Sequence, residues 1–208
     1  GIRDAQESRG LGDVYKRQTL DCMKYFINFL TYSRVCAGPI LFVLIAWMEA
    51  YGFGLFIFLL ASLSDYLDGF LARKYQLTSE IGAILDPIAD KILVAFMLCC
   101  LTLHLESFLI GFLGSIILAR EFWVSALRDM NSRIGNISAT NVTFLAKIKT
   151  FIQMIALGSY IFGLYVNSAL LIFVSDFILF LATIITLQTG LSYTMASFDK
   201  SNNKLRID

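Results

Sequence analysis

Residues 64–91 read SDYLDGFLARKYQLTSEIGAILDPIADK and carry Asp65, Asp68, Asp86 and Asp90 between strongly apolar runs, FGLFIFLLA before and ILVAFMLCCL after. On a helix, Asp65, Asp68, Gly69, Ala72 and Arg73 fall at i, i+3, i+4, i+7 and i+8, which is one face. Gly82, Asp86 and Asp90 recur every four residues and form a second stripe. The stretch RKYQLTSE between them is short, so two antiparallel neighbouring helices are expected, with their acidic stripes able to face each other. An aspartate at the centre of a membrane helix costs about 2.5–3.5 kcal/mol, and four together add mutual repulsion. Arg73 and Lys91 offset only part of that charge; hard divalent cations would offset the rest. With carboxylate oxygens as the donors and no His or Cys nearby, Mg²⁺ or Mn²⁺ fits better than zinc. Two such cations clamping phosphoryl oxygens is a recurrent arrangement for displacement at phosphorus. Gly69, Ala72 and Gly82 share the acidic faces; small residues there leave room for a ligand, although they also serve close helix packing.

The elements that hold these residues are membrane helices. Of the 208 residues, 57% are hydrophobic and 16% charged, against about a quarter charged in soluble domains. Apolar segments can be drawn at roughly 32–48, 52–72, 83–103, 107–126, 145–165 and 168–190, each near the ~20 residues needed to span a bilayer. The fold class is therefore an all-α integral membrane protein with six transmembrane helices, preceded by a short amphipathic interfacial segment between Asn28 and Arg34. Three short turns, EAYG, HLES and VNS, hold no Lys or Arg. The seventeen basic residues lie on or near the opposite side, together with both termini. The positive-inside rule makes that side cytoplasmic. The lone His104 sits in a turn on the other face, away from the aspartates. Cys22, Cys36, Cys99 and Cys100 show neither CxxC nor zinc spacing and read as small packing residues. A formal net charge of +1 says little about partners, and no nucleic acid is expected.

Residues 1–22 stand apart as a polar leader without the regions of a signal peptide. Up to about Gln18 the leader is expected to be translated adapter, and Met23 is a plausible start. Residues 23–193 make the six-helix domain and 194–208 a polar cytoplasmic tail, of which SFDKSNNKLRID, residues 197–208, is expected to fray.

A second group lies in LAREFWVSALRDM and FLAKIKTFIQMIA. Arg120 and Arg128 are two helical turns apart and can share a face, and Lys147 and Lys149 enter the fifth segment from the same side. Basic residues at span ends are common as anchors. Gathered beside a metal site, they also suit an acceptor that bears its own phosphate.

The spacing Asp65-x2-Asp68-Gly69-x2-Ala72-Arg73-x8-Gly82-x3-Asp86-x3-Asp90 resembles the signature of the CDP-alcohol phosphotransferase family at every position. The resemblance implies six helices with an active site open to the cytosol, where an acceptor hydroxyl attacks the lipid-linked phosphate of a CDP-alcohol and CMP departs. It implies that Asp65 and Asp86 bridge two metals, that Asp68 holds one and Asp90 the other, and that Asp90 is also the general base. Gly69, Arg73, Ser79 and Gly82, with Asn28 and Thr31 of NFLT, match positions that contact the CDP moiety. REFWVSALR, AKIKT and NFLTYSR resemble the phosphatidylglycerophosphate synthase branch, with Ala146 where that branch usually has Gly. Carried over, Arg120, Arg128 and Lys147 bind the phosphate of glycerol 3-phosphate, CDP-diacylglycerol is the donor, and the protein is a homodimer in the cell inner membrane. Rival acceptors are inositol phosphate, serine and phosphatidylglycerol. A divalent-cation transporter, the reading from a different class, should carry polar groups near the middle of several spans. An intramembrane prenyltransferase should show two separated acidic loops.

Overall fold

The computed structural model describes residues 23, 25–26, 28–75, 80–134 and 144–204, and within these the side chains of 66, 68–75, 80–84, 86, 134, 144–147 and 199–204 are outside the description. Six helices follow in order: α1 (Asn28–Trp47), α2 (Tyr51–Tyr75), α3 (Glu80–His104), α4 (Phe108–Ile134), α5 (Phe144–Val166) and α6 (Ala169–Lys204). No strand occurs among the described residues. Five of the helices, all but α2, are long and apolar enough to cross a membrane; in α2 the apolar part is the shorter Tyr51–Asp65. The chain is an integral membrane protein of about six helices.

Three boundaries differ from the expectation. Residues 28–34, expected as an interfacial lead-in, are the first turns of α1 and run without a break into its apolar part. The reason is packing: Thr31 and Arg34 are buried there, so this stretch is held by neighbouring helices rather than by the bilayer surface. The polar residues after 126 continue α4 to Ile134. The tail expected to fray from Ser197 continues α6 to Lys204. These two extensions support each other. Asn131 Nδ2 donates to Ser197 Oγ at 2.8 Å, and Arg128 lies 4.9 Å from the centre of the Tyr193 ring. At 36 residues α6 is about 54 Å long, well beyond the ~30 Å hydrocarbon core.

The three short turns share one device. Glu49, Glu106 and Asn167 each take a positive φ, of 51°, 47° and 54°, the left-handed conformation that ends a helix and reverses the chain. The N–H of Ser107 reaches the carbonyl of Thr102 at 3.2 Å, and that of Ser168 reaches Gly163 at 3.0 Å, satisfying carbonyls that the helix end would orphan.

The core is continuous through the bundle. Leu41 and Ile45 of α1, Phe58 of α2, Met97 and Leu101 of α3, Ile117 of α4, Leu157 of α5 and Leu179 of α6 are all nearly or fully buried. Outward-facing Phe53, Phe56, Phe112, Phe173 and Phe177 are exposed, as lipid-facing side chains should be, since hydrocarbon is as good a solvent for them as the core. Helix α6 packs on α5 and α4, α2 on α5, and α3 on α4; the last turn of α1 packs on both α2 and α3. Near the end of the bundle that holds the short turns, Tyr160 Oη donates to Asp176 Oδ1 at 2.5 Å, and Ser159 and Ser175 hydroxyls meet at 2.7 Å, tying α5 to α6.

Candidate active site

Asn28, Thr31 and Arg34 follow at i, i+3 and i+6 and form a polar stripe on the otherwise apolar α1. The stripe meets the acidic helices through Arg34, whose side chain is fully buried. Its Nη1 lies 2.5 Å from Asp65 Oδ1 on α2 and 2.6 Å from Asp90 Oδ1 on α3. Burying a guanidinium is costly without carboxylate partners, and these two supply them from two further helices. Among the described residues, the acidic helices are thus joined through α1, with one cation between the two carboxylates. Both carboxylates stay about half exposed, 48% for Asp65 and 41% for Asp90, so each keeps oxygen surface open to a ligand. One turn before Arg34, Thr31 is buried, and Asn28 Oδ1 is buried without a hydrogen-bond partner among the described residues.

Of the remaining acidic-motif residues, Asp68, Gly69 and Arg73 lie on the backbone of α2, and Gly82 and Asp86 on that of α3; their side chains are outside the described residues, and Ser79 is wholly outside them. Among the described residues no three His, Cys, Asp or Glu side chains converge on one point. What is described does fit a hard cation. Asp65 and Asp90 offer oxygen only, and both already direct an oxygen at one positively charged nitrogen.

The second cluster adjoins the first. Lys91, the neighbour of Asp90, donates to Ser125 Oγ on α4. Ser125 stands one turn from both Glu121 and Arg128 on the same face. Glu121 Oε1 takes two buried cations, Arg120 Nη1 at 3.3 Å and Lys149 Nζ from α5. Arg120 Nη2 also donates to Thr189 Oγ1 on α6 at 2.7 Å, and Arg128 Nη2 to Tyr193 Oη at 3.2 Å. Three buried polar atoms here have no hydrogen-bond partner among the described residues: Arg120 Nε, Arg128 Nε and Thr186 Oγ1. Unmet donors of this kind are expensive unless a ligand completes them. Gly190 makes the room: a Cβ there would stand 2.9 Å from Arg120 Cγ and 3.0 Å from its Nε.

The structure therefore brings Asp65 and Asp90 together on Arg34, with Thr31 and Asn28 on the preceding turns of α1, and sets Arg120 and Arg128 against α6. Lys147 lies outside the described side chains, whereas Lys149, two residues on, is buried in the cluster. Sequence reasoning left out Arg34, Glu121, Ser125, Thr189, Gly190 and Tyr193. The polar stripe in α1 was a signal that could have found Arg34. The partners on α6 have no local signature.

Beside the acidic end, an open groove of about 360 Å³ runs between α1 and α2, lined by Leu30, Ala37, Leu60, Leu63 and Leu67, with Ser33 and Ser64 as its polar contacts. Those serines adjoin Arg34 and Asp65 in sequence. The groove is apolar and starts where the charged site ends.

A family model described as CDP-alcohol phosphatidyltransferase matches residues 25–193. The CDP-diacylglycerol–glycerol-3-phosphate 3-phosphatidyltransferase of Rickettsia typhi is 38% identical over 84% of this chain and 97% of its own length. The protein of the same name from Rickettsia bellii is 39% identical over 81% and 93%, and that of Salmonella choleraesuis 34% identical over 82% and 93%.

Proposed function

Because the chain belongs to the CDP-alcohol phosphatidyltransferase family, we propose that it transfers the phosphatidyl group of CDP-diacylglycerol to sn-glycerol 3-phosphate, giving phosphatidylglycerophosphate and CMP. The names of the relatives support that substrate pair. The observation in this chain that carries it is the basic cluster adjoining the acidic one, with Arg120 and Arg128 each holding a buried Nε that has no partner among the described residues. A neutral acceptor would leave those donors unmet; a phosphate bearing two or more acceptor oxygens suits them.

In this reading Asp65, Asp68, Asp86 and Asp90 hold two divalent cations, Mg²⁺ or Mn²⁺. When bound, these supply positive charge to the phosphoryl oxygens and to the departing CMP. Asn28, Thr31, Gly69, Arg73, Ser79 and Gly82 receive the cytidine diphosphate, the guanidinium being suited to pyrophosphate oxygens. The groove between α1 and α2 takes an acyl chain of the donor, which keeps the lipid in the membrane while its phosphate reaches the aspartates. Arg120, Arg128 and Lys147, with Lys149 behind them, orient the acceptor by its phosphate. The acceptor hydroxyl then forms a bond to the lipid-linked phosphorus, its proton passes to an Asp90 carboxylate oxygen, and the bond from that phosphorus to the CMP oxygen breaks. CMP leaves with the electron pair. The site faces the cytoplasm of the inner membrane, where the basic residues concentrate, and the working assembly is a homodimer.

Purified protein given radiolabelled glycerol 3-phosphate, CDP-diacylglycerol and Mg²⁺ should form a chloroform-soluble labelled phospholipid. Label that stays in the aqueous phase, while serine or inositol phosphate is incorporated, would overturn the choice of acceptor.

A further inference from the structure

We infer that Arg34 is the internal counter-cation of the acidic site, and that it competes with a divalent cation for the same oxygens of Asp65 and Asp90. This rests on the reading of those aspartates as cation ligands. Three observations lead to it. The Arg34 side chain is fully buried, while its two carboxylate partners are about half exposed. Water can therefore solvate the carboxylates, whereas the buried guanidinium cannot rely on water and takes compensating charge from them. One nitrogen, Nη1, serves both carboxylates at 2.5 and 2.6 Å. It occupies one oxygen of each, and those are oxygens that a divalent cation would also need. Finally, the two partners come from different helices, 31 and 56 residues away in sequence, so the guanidinium gathers the acidic groups as well as neutralising them.

The consequence is a trade of one positive charge for another. Four like-charged carboxylates at a membrane boundary repel, and a chain with no internal cation would hold them apart. Arg34 keeps Asp65 and Asp90 together at all times, and a divalent cation entering between them must weaken both of its ion pairs. Removing the guanidinium should therefore strengthen cation binding. A residue that only shaped the ligands would do the opposite when removed. Even at the dielectric constant of water, a singly and a doubly charged cation about 4 Å apart repel enough to alter affinity by about tenfold or more.

The test measures Mn²⁺ binding to purified protein in detergent, through the loss of the free-Mn²⁺ paramagnetic signal, with no substrate present. Arg34→Gln and Arg34→Met are both purified with Mn²⁺ added and then stripped by a chelator. Both are expected to bind Mn²⁺ about tenfold more tightly than the unaltered protein. Their melting temperatures should fall in chelator and recover with Mn²⁺ by more than that of the unaltered protein. Arg34→Lys, which keeps a positive charge, should bind Mn²⁺ close to the original affinity. Equal or weaker Mn²⁺ binding by Arg34→Gln and Arg34→Met would overturn the inference and leave the metal reading intact. No Mn²⁺ binding by the unaltered protein would remove the metal reading and the inference with it. Failure of both variants to fold even with Mn²⁺ would show that the cation cannot replace the guanidinium, which also overturns it.

Discussion

Gly190 offers a sharp perturbation of the acceptor side, because the residue itself has no chemistry. In Gly190→Ala the new methyl would lie 2.9 Å from Arg120 Cγ, 3.0 Å from Nε and 3.5 Å from Cδ. Cγ is close to the base of the side chain, so swinging the guanidinium tip gives no relief; the stem must move with α4. Overpacking of this kind costs about 1–3 kcal/mol. The movement also pulls Arg120 Nη2 from Thr189 Oγ1, now at 2.7 Å. Thr189 is the residue before Gly190, so the hydrogen bond and the clash occupy one turn of α6. If Arg120 binds the acceptor phosphate, a loss of about 1.4 kcal/mol there raises KM for glycerol 3-phosphate about tenfold. KM for CDP-diacylglycerol should hardly change. Gly114→Ala is the control, since the three atoms nearest its methyl would all belong to the Leu98 side chain, at 3.3–3.4 Å, and both KM values should stay put. Steady-state kinetics with each substrate varied in turn reads both. An unchanged KM for glycerol 3-phosphate in Gly190→Ala would refute the placing of Arg120 at the acceptor.

Further outcomes follow from the same contacts. Asp90→Asn should abolish turnover while CDP-diacylglycerol still binds, as measured by calorimetry; retained turnover would remove Asp90 as the base. Glu121→Gln strips the carboxylate from two buried cations, Arg120 and Lys149, and should cost about 3 kcal/mol of stability. Glycerol 3-phosphate should then raise the melting temperature of that variant more than that of the parent, because its phosphate restores the lost negative charge. Tyr160→Phe deprives Asp176 of its 2.5 Å hydrogen bond and should destabilise the protein by about 1–3 kcal/mol. Both KM values should be unaffected, since Asp176 lies about 20 Å along α6 from Thr189 at the helical rise.

The reach of sequence reasoning has a physical boundary here. Spans were legible because a membrane core demands about 20 apolar residues in a row. The acidic block was legible because Asp65 to Asp90 lie on two consecutive helices at helical spacing. Periodicity tells which face a residue occupies and is silent on what that face meets. Arg34 finds Asp65 and Asp90 across 31 and 56 positions, and Arg120 finds Thr189 across 69; no local pattern encodes such pairings. The same limit explains the tail. Composition alone makes the stretch from Ser197 look frayed, yet Ser197 is held by Asn131, and Trp123 Nε1 donates to Thr194 Oγ1 at 3.0 Å just before it, so tertiary contacts extend both α4 and α6. Gly190 looks ordinary in QTGLS until Arg120 is seen against it.

In the proposed reaction the acidic and basic clusters together join CDP-diacylglycerol to a phosphate-bearing acceptor. Release of CMP by purified protein, followed with Mg²⁺ and with each candidate acceptor in turn, tests it most directly. CMP release is expected with glycerol 3-phosphate, matched mole for mole by phosphatidylglycerophosphate and stopped by a chelator, and none with serine. CMP release that depends on serine and ignores glycerol 3-phosphate would contradict it.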